Sequence, residues 1–199
     1  MNETVHGGRL DDLHRALAEL NPALPAPARL ALLIRAGLDR LPRPGSGATL
    51  LRWQALAAVA ASDLSLAKLY EGHTDALAIL AELGVAPERI DAPAGWGVWA
   101  AEAPQGRTLI ALDGAAPDGA VRLSGAKCWC SGAAGASAAL LTAWHADGRG
   151  PQLVSLDLRS RACGCPIPAG TRSAWPTARA WTSASTGPTR GSSARRVTT

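Results

Sequence analysis

Leu123-Ser124-Gly125-Ala126-Lys127-Cys128-Trp129-Cys130-Ser131 is the stretch on which the fold turns. It continues a run that begins at Val121, and its alternation predicts a strand over Val121 to Cys130 whose successive side chains take opposite faces. On such a pleat Trp129 and Ser131 share a side, a planar apolar face beside a small hydroxyl. Outward from it, short apolar or alternating runs lie at Trp96 to Ala101, Thr108 to Leu112, Ala139 to Trp144 and Gln152 to Leu158. Turn pairs such as Asp113-Gly114 and Asp118-Gly119 separate them. Consecutive strands with no helix between them predict an antiparallel sheet, because parallel neighbours need long crossovers.

Upstream of Pro87 the period is that of helices. Leu10, Leu13, Leu17 and Leu20 fall on one helix face that Asn21-Pro22 closes; Leu30, Leu33, Ile34, Leu38 and Leu41 repeat the pattern as far as Pro42. Thr49 to Ala61 and Leu64 to Leu83 form two further helices, or one with a break at Ser62-Asp63, and the last stops at Gly84. Gly72 inside that helix points to a close approach of another backbone. The reading is an α+β protein: a helical N-terminal domain over 1–84, an antiparallel β-domain over 85–158, and an irregular C-terminal tail over 159–199.

The tail differs in kind. Of 199 residues, 47% are hydrophobic and 18% charged, enough for a sizeable core. The formal charge is +4, yet residues 1–158 carry −3 and residues 159–199 carry +7, with seven arginines and no acid. A charge confined to one terminal segment is weaker evidence for nucleic acid than a basic patch on a folded surface. Arginine fills 18 of the 20 basic positions, the other two being Lys68 and Lys127, and phenylalanine is absent. No run of 18 apolar residues exists, and the first 20 residues hold four acids. The expectation is a cytoplasmic protein with neither membrane span nor secretory leader.

Cys128/Cys130 and Cys163/Cys165 are C-x-C pairs, too close for the usual zinc spacing, and read as free thiols. His6, His14, His73 and His145 lie on separate elements without ligand spacing and read as surface residues or satisfied helix residues. No metal site is expected. Phosphate-binding glycine loops and nucleophile elbows are absent.

Two stretches in this order, Asp63-Leu64-Ser65-Leu66-Ala67-Lys68-Leu69-Tyr70-Glu71-Gly72-His73 and Leu123 to Ser131, resemble the acyl-CoA dehydrogenase family. The first is similar to a D-L-S-L-x-x-x-x-E-G-H helix of a divergent branch, and the second to the L-x-G-x-K-x-W-x-(T/S) strand. The likeness covers roughly residues 10–158. It implies a helical domain, a middle β-domain and a C-terminal four-helix bundle, with FAD between the last two and an acyl-CoA thioester beside it. It implies that Trp129 packs against the flavin and Ser131 bonds near its reactive nitrogen. The family's T-E-P-x-x-G-S loop is similar to Ala101-Glu102-Ala103-Pro104-Gln105-Gly106-Arg107, where Glu102 and Gly106 match while Ala101 and Arg107 depart. The resemblance implies that Gly106 is the third flavin-binding residue, through its backbone. The family's substrate, an acyl-CoA, loses an α-proton to a carboxylate that lies in the bundle, so no catalytic residue is assigned; Glu71 and Glu102 read as solvated or structural. Family members assemble as oligomers, so a homo-oligomer is expected of the full-length form.

The expectation for this chain is accordingly a truncated, inactive form of such an oxidoreductase. The tail fits a shifted reading frame: codons displaced by one base permit V-R-V over 162–165, G-W-H-A-V-G-M-A-D-S-A over 168–179 and V-D-V-G-V-D over 180–186. The alternative is a non-enzymatic binding module whose genuine basic tail reaches nucleic acid.

Overall fold

A computed structural model describes residues 3–85, 92–102, 107–111, 120–159 and 174–181. Four helices come first: α1 (Glu3–Glu19), α2 (Ala26–Arg35), α3 (Thr49–Ser62) and α4 (Leu64–Glu82). Their leucines meet as the period of 3.6 requires, with Leu13, Leu30, Leu33, Val59, Leu66 and Tyr70 forming the helical core. α2 is shorter than its leucine pattern. The chain turns away at Gly37, where the Leu38 N–H reaches back to the Leu33 carbonyl at 3.0 Å, and Leu38 and Leu41 pack on the core from the connection that follows.

α3 and α4 are separate helices because Asp63 stands between them in an extended conformation as the N-cap of α4. Its carboxylate accepts from the Leu66 N–H at 2.6 Å and pairs with Arg29 of α2 at 3.0 Å. The Leu66 N–H first, then the Arg29 guanidinium, holds that carboxyl below the usual carboxylate value. A second buried arginine, Arg52 on α3, binds Asp75 of α4 at 2.6 Å and the Pro42 carbonyl at 3.1 Å.

Six strands follow: β1 (Trp96–Trp99), β2 (Thr108–Ala111), β3 (Ala120–Ala126), β4 (Ala138–His145), β5 (Pro151–Asp157) and β6 (Ala174–Trp181). The α+β order is the one expected, but the sheet is mixed rather than antiparallel. β1 and β2 both run parallel to β4, lying along the first and second halves of one of its edges. They do so because the chain reaches β4 only after the β2–β3 hairpin has reversed it. β4 forms an antiparallel pair with β5 on its other edge, and β6 pairs with both β3 and β5, so the sheet closes on itself. The region beyond residue 159 thus contributes a strand, β6, where an irregular tail was expected. The Asp113-Gly114 and Asp118-Gly119 turns and the second cysteine pair lie outside the described residues.

β4 is buried on both faces. Ala139, Leu141 and Ala143 join Trp99, Ile110, Leu123, Val154 and Leu156 inside the closed sheet, while Ala138 and Leu140 join Trp96 against Ala76 and Leu80 of α4. β1 passes Gly72 at ordinary van der Waals distance rather than at the close approach expected: the nearest atom to a Cβ built there, Val98 N, is 3.9 Å away, so the space admits a methyl group. His73 completes this junction. Its Nδ1 accepts from the Trp96 N–H at 3.2 Å, which leaves Nε2–H to donate to Asp39 at 3.0 Å, and both side chains are buried. Tyr70 donates to the Leu38 carbonyl at 2.6 Å; burial first, then the Asp39 carboxylate, pushes its phenol well above the usual value.

Candidate flavin site

β3 ends at Ala126, four residues before the strand predicted from alternation. Residues 127–130 leave the sheet and 131–135 form turns, so the pleat argument that put Trp129 and Ser131 on one side does not apply to them. The cause lies in Gly125 and Lys127. Gly125, at φ +100, sits against the strand that follows Arg107; a Cβ there would meet the Arg107 carbonyl oxygen at 2.2 Å, so only glycine fits. The ladder between β3 and β6 shifts register at the same place.

Lys127 then turns inward. It is 3% exposed, and its Nζ donates to Glu102 Oε1 at 2.5 Å and to the Thr142 hydroxyl and carbonyl at 2.7 and 3.0 Å. The Thr142 hydroxyl donates in turn to Glu102 at 2.6 Å. All three ammonium protons are used. Burial alone would raise the Glu102 carboxyl, but the hydrogen bonds from Lys127 and Thr142 and the charge of Lys127 outweigh it and hold that carboxyl below its usual value. This cluster joins the Glu102 loop to the Trp129 stretch across 25 positions of sequence. Glu102 is a structural anchor, in line with the sequence reading, and Glu71 is an exposed partner of Lys68 at 2.8 Å.

With its base held by that cluster, the loop carries Trp129 outward. The indole is 65% exposed, and Trp129 is the single non-glycine residue at positive φ (+56) among those described. Ser131 is also exposed; its N–H donates to the Trp129 carbonyl at 3.0 Å, its own carbonyl accepts from the buried Trp99 indole at 3.1 Å, and its hydroxyl has no partner among the described residues. Gly132 then packs on Leu69 of α4 so closely that a Cβ would lie 2.4 Å from Leu69 Cδ2. Between α4, β1 and this loop the remaining cavity is about 20 Å³, enough for about one water. The loop is seated on solid packing, and what it offers is an exposed indole and, two positions on, an exposed serine.

Several solved structures resemble this chain in fold. One is a steroid ACAD, the G363A variant of Tcur3481-Tcur3483, at 20% identity and TM-score 0.52, covering 89% of this chain and 56% of that one. Another is the ChsE4-ChsE5 complex from Mycobacterium tuberculosis, at 18% identity and TM-score 0.55, covering 100% of this chain and 57% of that one. A third is FMN-bound TdsC from Paenibacillus sp. A11-2, at 21% identity and TM-score 0.52, covering 90% and 50%. This is the acyl-CoA dehydrogenase fold. The chain spans about half the length of the acyl-CoA dehydrogenase-fold structures it matches. No family model and no curated protein matches its sequence.

Within that fold, Gly106 lies outside the described residues. Arg107, which stands where the motif has serine, places its guanidinium 4.1 Å from the centroid of the Trp144 ring. Cys128 and Cys130 lie in the loop rather than in a strand, the Cys130 thiol donating to the Lys127 carbonyl at 3.3 Å, and no cluster of metal-ligating side chains exists among the described residues. Nor is any helix among them long and apolar enough to cross a membrane. His145 departs from expectation: it is a buried strand residue, paired with Gln152 at 2.7 Å.

Sequence reasoning passed over Lys127, Thr142 and Trp99. A signal for Lys127 was present, since a lysine kept in a chain with 18 arginines marks a place where a compact ammonium with three donors fits and a planar guanidinium does not.

Proposed function

We propose that this chain forms the flavin-facing helical and β part of an oxidoreductase of the acyl-CoA dehydrogenase type, with FAD stacked on Trp129 and hydrogen-bonded by Ser131 and the Gly106 backbone. The substrate class is an acyl-CoA thioester undergoing α,β-dehydrogenation, and the chemistry a flavin supplies there is hydride acceptance, which no side chain provides. The observation that supports this reading is the exposed indole at positive φ. A large aromatic residue in the left-handed region costs roughly 1–2 kcal/mol, and it persists here where it contributes little to the core. The reading is supported by an exposed apolar face at Trp129 and by a Ser131 hydroxyl that has no partner among the described residues.

No catalytic base belongs to the reading, since Glu102 and Glu71 are both engaged in ion pairs. The indole lies open, so the opposite wall of a ring site comes from outside the described residues, and the 199-residue chain alone is expected to hold flavin weakly. A homo-oligomer and a cytoplasmic location belong to the same proposal. The comparisons lend no support to the nucleic-acid alternative.

Trp129→Gly tests the reading. Relief of the left-handed strain leaves stability unchanged or slightly raised in urea melts, while FAD affinity, followed by flavin fluorescence, falls at least about tenfold. Ser131→Ala lowers affinity less. A Trp129→Gly protein that binds FAD as the parent does, or that loses stability because the indole was structural, refutes the assignment.

A further inference from the structure

The helical part holds a cavity that the flavin reading does not use. It lies between α1, the connection from Gly37 to Ala48, and the start of α3, with a volume of about 530 Å³, the size of an ordinary small-molecule site. Leu13, Leu41 and Leu51 contribute to an apolar lining. Among the described residues its charged lining is all cationic, Arg9, Arg40 and Arg43.

The electrostatics of this lining are unbalanced. Arg15, Arg29 and Arg52 of the same helical part are each paired with an aspartate. Arg9 instead donates to the backbone carbonyl of Arg40 at 3.2 Å, and neither Arg9 nor Arg43 has an ion-pair partner among the described residues. The nearby carboxylate, Asp39, lies 3.5 Å from Arg40 but is buried against His73 and is not part of the lining. An apolar chamber with two unpaired guanidinium groups at its wall complements one kind of molecule: a single anionic head on a hydrocarbon body. The planar guanidinium fork can grip both oxygens of a carboxylate.

We propose that this cavity binds a fatty carboxylate, its head paired with Arg9 and Arg43 and its chain laid against the leucines. The site is separate from Trp129 and stands whether or not the chain binds flavin.

Calorimetric titration of the 199-residue chain with decanoate, decanol and decyl phosphate, all below their aggregation limits, tests it. Decanoate binds one to one and at least about tenfold tighter than decanol, since the alcohol forfeits the charge-assisted contacts. The Arg9→Gln/Arg43→Gln double variant loses that margin and leaves decanol binding unchanged. Ala48→Phe, which fills the chamber, removes binding of both; should it fail to fold by circular dichroism, the arginine pair decides, because both are side chains at the cavity wall rather than in the core. Trp129→Gly leaves decanoate binding as it was. Equal affinity for decanoate and decanol, indifference to the double arginine variant, loss of binding in Trp129→Gly, or a tenfold preference for decyl phosphate would each overturn the assignment.

Discussion

Replacing Lys127 by methionine removes the cation that ties the Glu102 loop to the Trp129 stretch. Lys127 is almost fully buried, and methionine keeps most of its volume, so the change is electrostatic rather than steric. Breaking a buried ion pair from one side costs about 3–5 kcal/mol when the abandoned charge is sealed. The Glu102 side chain keeps 29% of its exposure and a hydrogen bond from Thr142, which lowers the expectation to about 2–3 kcal/mol. Urea denaturation followed by circular dichroism reads this as a fall in midpoint with an unchanged slope. In the parent, Glu102 has a depressed carboxyl in the folded state, so its contribution is present above the unfolded carboxylate value and is lost as pH falls through the folded one. The methionine variant therefore loses stability at pH 7, and the difference between variant and parent narrows below the ordinary glutamate range. A Lys127→Met/Glu102→Gln double variant recovers part of the loss, since no charge remains unpaired. A loss under about 1 kcal/mol at pH 7, a difference independent of pH, or strict additivity in the double variant would show that the cluster does not hold the loop.

Gly125→Ala is expected to cost more than about 3 kcal/mol, because the new methyl collides with the Arg107 backbone as well as adopting positive φ. Gly148→Ala, at φ +81 with open space around it, carries only the conformational term of about 1 kcal/mol; parallel thermal melts separate the two, and equal losses would remove the steric argument. His73→Leu leaves a buried Asp39 and the Trp96 N–H without their partner and lowers stability by about 2–4 kcal/mol. Hydrogen exchange at the Trp96 amide then rises together with global unfolding, and a variant as stable as the parent would mean that the junction of α4 and β1 rests on apolar packing alone.

Much of this protein was legible along the chain because its determinants are local. Leucine spacing marks the helices, and alternation marks β1, β2, β4 and β5 to within a residue or two at most of their ends. α2 ran past its true end in the sequence reading because Leu38 and Leu41 continue the apolar period from a non-helical connection, where burial serves as well as helix periodicity. The mixed sheet was illegible for another reason: strand direction depends on the route the chain takes to reach β4, and no residue pattern records that route.

The order of helices before strands, the break between the two charge regimes, and the presence of an indole and a hydroxyl two positions apart were decided by the sequence itself, through periods and side-chain chemistry that act over a few residues. Tertiary structure decided what those groups face. Alternation alone would have continued β3 through Cys130; instead the closeness of Arg107 at Gly125 and the pull of Glu102 and Thr142 on Lys127 end the strand and turn Trp129 outward. Those partners lie between 15 and 25 residues away, and a contact between positions so far apart forms only once the sheet has closed.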